Sequence, residues 1–240
     1  MTMIDKDEIL DSIKSWFSEV IIPNHIKNTK KLIAPSEFTI NPLTTNYLAN
    51  FLFGHSSPEN IAKALLYPRV LGSSINTSFG QNFQSFITDA LGAFGSTTSG
   101  IDIEFQDQID GRHKYCQLKL GPTTINKDDV TTIVGHFKAA RNLGRTNNIQ
   151  LSFDQLIVGV IYGEESELSA NYKSIRDNHD YPVIIGNDFW KRLTGFDNFL
   201  TDISNVIAQL AVEINFSNEF EEIISELARS EVVQKISNHE

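Results

Sequence analysis

The stretch from Ile101 to Leu120 constrains the fold more than any other part of the chain. Ile101, Ile103 and Phe105 alternate with Asp102, Glu104 and Gln106, and a second run, His113 to Leu120, follows an Asp110-Gly111 pair. A period of two marks a strand with two unlike faces. Asp-Gly favours a two-residue hairpin turn. With that pair at the turn centre, opposed positions sum to 221, so Asp102 faces Lys119, Glu104 faces Gln117 and Gln106 faces Tyr115. Those six share one side of the hairpin, and Ile101, Ile103, Cys116, Leu118 and Leu120 share the other.

Helical periodicity surrounds this hairpin. Ile9, Ile13, Trp16, Phe17, Val20 and Ile21 form an amphipathic stripe that Pro23 is expected to end. Leu43–Gly54 and Pro58–Leu66 read as two short helices, and Phe83, Phe86, Ile87, Ala90, Leu91 and Phe94 as another, between Gly80 and Gly95. Beyond Gly121-Pro122, Asn126 is a good N-cap for a helix from Lys127 to about Arg141, with Val130, Ile133, Val134 and Phe137 buried. Gln155–Tyr162 reads as a buried strand and Pro182–Gly186 as a short one. Asn187 is placed to cap a helix carrying Phe189, Trp190 and Leu193, and Phe199–Ile236 reads as one or two amphipathic helices. The order predicts an α/β fold, a mixed β-sheet core flanked by helices with a helical N-terminal part.

Composition excludes several classes. One cysteine in 240 residues leaves no disulfide framework and no Cys-rich zinc site. The N-terminus carries Asp5, Asp7 and Glu8, unlike a signal peptide, and the apolar run Leu156–Tyr162 is too short to span a bilayer. A cytoplasmic protein with no membrane partner is expected. The net charge of −10 argues at first against a polyanionic partner. Its distribution argues otherwise: residues 1–110 sum to −5 and residues 146–240 to −10, whereas 111–145 sum to +5, with seven Lys and Arg against Asp128 and Asp129. Screening confines each patch to about 10 Å, so a basic segment can meet a phosphate backbone inside an acidic protein.

The polar side of the hairpin carries the chemistry. Asp102 supplies a carboxylate, Leu118 a backbone carbonyl and Gln117 an amide oxygen, the oxygen donors that Mg²⁺ takes. Lys119 emerges on the same side, where it can orient or deprotonate a water or stabilise charge on a phosphate. Such a metal–lysine site suits phosphodiester hydrolysis. The plainer alternative is a cross-strand ion pair between Asp102 and Lys119, worth a few tenths of a kcal/mol, roughly, at an exposed position.

In Gly100-Ile-Asp-Ile-Glu-Phe105 and in the run from Lys114 through Gln117-Leu-Lys119 to Asp129, the chain resembles the PD-(D/E)XK nucleases and, among them, the type II restriction endonucleases. Pro182–Gly195 is similar to their late strand and following helix, and Phe199–Asn215 to the helix after it. The likeness covers Phe79 to Asn215 and is nearest to enzymes that cut GGNCC-type sites. It implies a single nuclease domain over 1–240, with a mostly helical part at 1–78, the core at 79–215 and a C-terminal helix at 216–240. It implies Asp102 as the metal-binding aspartate, Gln117 at the second acidic position and Lys119 as the motif lysine. Gln117 departs from the Glu or Asp usual there, and Glu104 is the nearby acid placed to compensate. In the helix preceding the motif, where many members carry a further acid, Gln81 and Gln84 stand on the face in question, with Asp89 the nearest acid.

The resemblance implies Mg²⁺ as cofactor, double-stranded DNA as partner, and a bacterial cytoplasmic enzyme. A homodimer is expected, because twofold symmetry suits a palindromic site. Asn126, Lys127, His136, Lys138, Arg141 and Arg145 are the expected DNA contacts. Two alternatives stand: a repair or junction-resolving nuclease on the same core, and a DNA-binding protein with a degenerate site, for which Gln117 is the best argument.

Overall fold

The computed structural model describes residues 5–75, 82, 86, 87 and 94–238. Helices α1 (Lys6–Trp16), α2 (Ile22–Lys30), α3 (Pro42–Phe53) and α4 (Pro58–Pro68) come first. Strands β1 (Phe94–Gly95), β2 (Ile103–Gln106) and β3 (His113–Lys119) follow, then α5 (Lys127–Thr146), β4 (Leu156–Val160), α6 (Ala170–His179), β5 (Val183–Ile185) and α7 (Gly186–Thr194). The chain ends in α8 (Phe199–Ile214), α9 (Ser217–Ala228) and α10 (Glu231–Ser237). It divides into two compact units, Met1–Trp16 with Asn82–Ala208, and Phe17–Gln81 with Gln209–Glu240.

The first unit holds a five-stranded sheet in the order β1-β2-β3-β4-β5. β1, β2 and β3 pair antiparallel, and β3, β4 and β5 pair parallel. This is the expected mixed sheet flanked by helices. Leu156, Val158 and Val160 of β4 pack in one cluster with Ile133, Val134 and Phe137 of α5 and Tyr172 and Ile175 of α6. On the opposite face, Phe105 meets Phe189 of α7 edge-on, with ring centroids 6.3 Å apart. There β4 runs so close that a Cβ at Gly159 would lie 2.4 Å from the Phe189 ring. Covering both faces explains why β4 reads as an unbroken apolar run.

In the second unit, Ile61, Ala62 and Leu66 of α4 share a core with Ile223, Ile224 and Leu227 of α9 and Val233 and Ile236 of α10. By contrast α3 keeps much of its apolar surface in solvent: Leu43, Tyr47 and Phe51 are 83%, 62% and 71% exposed.

Several expected boundaries shift. Pro23 does not end the first helix; a π-helical turn, Phe17–Ile21, leads into α2, where the proline occupies the first turn and needs no N–H donor. Most of the stripe from Phe83 to Phe94 lies outside the described residues; Phe86 and Ile87 are buried and helical, whereas Phe94 pairs with Glu104 as part of β1. Asn187 lies within the first turn of α7, which begins at Gly186 with no side-chain cap. The C-terminal segment forms three helices, broken near Asn215 at φ 43° and again before Glu231.

The hairpin register is the correction that matters. Ile103 pairs with Cys116, Glu104 with Tyr115 and Gln106 with His113, so opposed positions sum to 219. The turn is longer than two residues, because the Asp107 N–H donates to the Arg112 carbonyl at 2.9 Å and Gln108 to Gly111 form the loop. The Asp107 carboxylate shapes that loop by accepting the N–H groups of Ile109 and Asp110 at 2.8 and 3.3 Å. Asp107 is buried, and Arg192 and Lys114 lie 2.6 and 3.7 Å from its Oδ2. A shift of two preserves parity, so the expected faces of the strands survive.

Candidate active site

Asp102 sits immediately before Ile103, the first residue of β2. Its N–H donates to the Cys116 carbonyl at 3.0 Å, and its Oδ2 accepts the Leu118 N–H at 2.7 Å. The carboxylate therefore lies against the strand that bears Gln117 and Lys119. Burial pushes the Asp102 carboxyl above its ordinary pKa, opposed by the Leu118 N–H and by the charge of Lys119. The structure thus brings Asp102, Leu118 and Lys119 together. The register separates Asp102 from the direct pairing with Lys119 that a two-residue turn implies.

Gln117 is 4% exposed. Its Nε2 donates to the Gly100 carbonyl and lies 2.8 Å from Nδ1 of His136 on α5. Gly100 has φ 79°, and a Cβ there would fall 2.1 Å from Cγ of His136. Only a bare backbone in the left-handed region lets the imidazole approach. His136 therefore belongs with the hairpin. From its sequence position alone His136 reads as one of the cations of its helix, and the signal for its actual place is the glycine immediately before Ile101-Asp102.

Glu104 stands further along the same face. Its oxygens receive the Ser96 hydroxyl at 2.6 Å and face Nε2 of His113 at 2.9 Å. Gln81, Gln84 and Asp89 lie outside the described residues.

The residues expected to touch DNA are spread over several surroundings. Asn126 caps α5, accepting the N–H groups of Asp128 and Asp129 at 2.7 and 3.0 Å in a capping box with Asp129. Lys127, Lys138 and Arg145 are exposed. Arg141 donates to the Leu151 carbonyl at 3.2 Å and lies 3.8 Å from the centroid of Phe153, which ties it to the loop after α5. Two further cations of the basic window are also paired. Lys114, 2% exposed, holds Asp110 at 2.6 Å and the Asp154 carbonyl at 3.0 Å, and Arg112 pairs with Asp154. Cys116 is fully buried, and burial pushes its thiol well above the ordinary range, so it is inert packing. Among the described residues no helix is long and apolar enough to cross a membrane.

The model of the type II restriction endonuclease EcoO109I family matches residues 47–215. No curated protein matches the chain. The match spans most of the chain, from the middle of α3 through the whole sheet and α7 to the residue after α8. The chain belongs to the type II restriction endonuclease EcoO109I family.

Proposed function

We propose that the chain is a Mg²⁺-dependent enzyme of the PD-(D/E)XK class that hydrolyses double-stranded DNA at a GGNCC-like site, with Asp102, Gln117 and Lys119 as its catalytic set. One observation carries this reading: the Leu118 N–H holds the Asp102 carboxylate beside the strand bearing Gln117 and Lys119.

The donor chemistry fits a hard cation. Asp102 offers a carboxylate, Leu118 a carbonyl and Gln117 an amide oxygen. Among the described residues no three His, Cys, Asp or Glu side chains gather as a metal cluster. One carboxylate with neutral oxygens leaves room for water and phosphate oxygens. Mg²⁺ held there would supply Lewis-acid activation of the phosphate and would acidify a water. Lys119 orients that water or stabilises the charge that builds on the phosphate. The Glu104 oxygens are shared with Ser96 and His113, which compete with any ligation of a cation by that carboxylate.

Lys127, Lys138 and Arg145 serve as phosphate contacts, with Asn126 close by at the helix start. The enzyme acts as a homodimer, and both compact units serve one nuclease. The exposed face of α3, which carries no charged residue, supports self-association.

The test is digestion of plasmid DNA by the purified protein with Mg²⁺. Discrete fragments that disappear in Asp102→Ala and Lys119→Ala are expected. Cleavage confined to branched or mismatched DNA would favour a repair nuclease, and binding without cutting would favour a degenerate DNA-binding module.

A further inference from the structure

We infer that His136 is a positioning residue that, with the Gly100 carbonyl, locks the Gln117 amide so that its oxygen is left as the neutral metal ligand. The inference rests on the nuclease reading above and deepens it.

The Gly100 carbonyl is an acceptor only, so the end of the amide that meets it is Nε2. The second N–H of Nε2 then meets Nδ1 of His136 at 2.8 Å, with the imidazole proton on its own Nε2. Both amide hydrogens are thereby used. Among the described residues Gln117 makes its side-chain hydrogen bonds through Nε2 alone. At 4% exposure, water does not compete for that end. Two acceptors fix which way the amide is flipped, and a planar amide held at nitrogen has its oxygen fixed as well.

The same geometry accounts for an amide where relatives of the motif place an acid. A carboxylate at 117 would set an oxygen against the Gly100 carbonyl, two acceptors with no proton between them. Gly100 completes the device, because its missing side chain makes the space the His136 ring occupies. A ligand held from behind in this way resembles the outer hydrogen bonds that orient metal ligands in general, whose loss costs about 10- to 100-fold in metal affinity.

The experiment uses the whole chain without DNA. Hydrogen exchange of the Gln117 side-chain amide is followed by NMR in the metal-free protein. Mn²⁺ affinity is measured by electron paramagnetic resonance for the wild type, His136→Ala, His136→Asn and Asp102→Ala. Slow exchange in the wild type is expected, with Mn²⁺ affinity about 10-fold or more weaker in His136→Ala. His136→Asn presents an amide oxygen near the place of Nδ1 and is expected to restore most of that affinity. Exchange as fast as that of a solvent-exposed amide overturns the inference, as does wild-type Mn²⁺ affinity in His136→Ala. Should His136→Ala fail to fold, the wild-type exchange rate decides alone. Undiminished Mn²⁺ affinity in Asp102→Ala overturns the metal site itself, and the inference falls with it.

Discussion

The Leu118 backbone N–H donates to Asp102 Oδ2 at 2.7 Å, so a carboxylate is held against the strand that carries Gln117 and Lys119. Asparagine at 102 keeps an oxygen able to accept that N–H and removes a half-buried charge. Asp102→Asn is therefore expected to fold with a Tm equal to or about 2 °C above that of the wild type while losing Mg²⁺-dependent cleavage by about 100-fold or more. Calorimetry and a plasmid-nicking assay check the two halves. A large fall in Tm would mean that the carboxylate serves the fold instead of the chemistry.

Asp107 has the opposite character. It is 1% exposed, shapes the hairpin loop and faces Lys114 and Arg192. Removing one partner of a buried ionic group leaves the others uncompensated, at a cost of about 3 kcal/mol or more. Asp107→Ala should lower the urea midpoint accordingly.

Asp110, in the same network, supplies the pH dependence. Burial raises its pKa, but the Lys114 ammonium, the Arg112 N–H and the Arg192 charge outweigh it and hold the carboxyl below its ordinary value. The folded state thus binds this proton less readily than the unfolded chain, so stability rises with pH across the interval. The contribution is complete above the ordinary carboxylate pKa and is lost as pH falls through the lowered one. Urea midpoints of wild type and Asp110→Asn should differ at pH 7, and the difference should shrink as acid protonates the Asp110 carboxyl below its ordinary range.

The cations of α5 should separate by role. Arg141 is engaged by Leu151 and Phe153, so Arg141→Ala is expected to reduce stability by about 1 kcal/mol with little change in the salt dependence of DNA binding. Lys138→Ala and Arg145→Ala should leave stability unchanged within about 0.5 kcal/mol and each lower the slope of log affinity against log salt by about 1. Fluorescence anisotropy across a salt series, with thermal melts, distinguishes the groups.

The polar face of the hairpin was legible in the alternation of Ile101–Gln106 and His113–Leu120, because side-chain parity survives a shift of two positions. The register itself was not. Turn length depends on the Asp107 carboxylate, whose partner Arg192 is 85 residues away and visible to no local rule. The cap at Asn126 was readable because capping chemistry is local. The approach of His136 to Gly100 and the stacking of Arg141 on Phe153 are tertiary, and on a single helix both side chains look like solvent-facing polar residues.

The most direct test of the catalytic assignment is digestion of plasmid DNA with Mg²⁺ by the wild type, Asp102→Ala and Lys119→Ala, each first shown to be folded. The wild type is expected to give a fixed set of fragments whose ends map to one short sequence. Both variants are expected to cut at least about 100-fold more slowly. Fragmentation by either variant at the wild-type rate would contradict the placement of the active site on this hairpin.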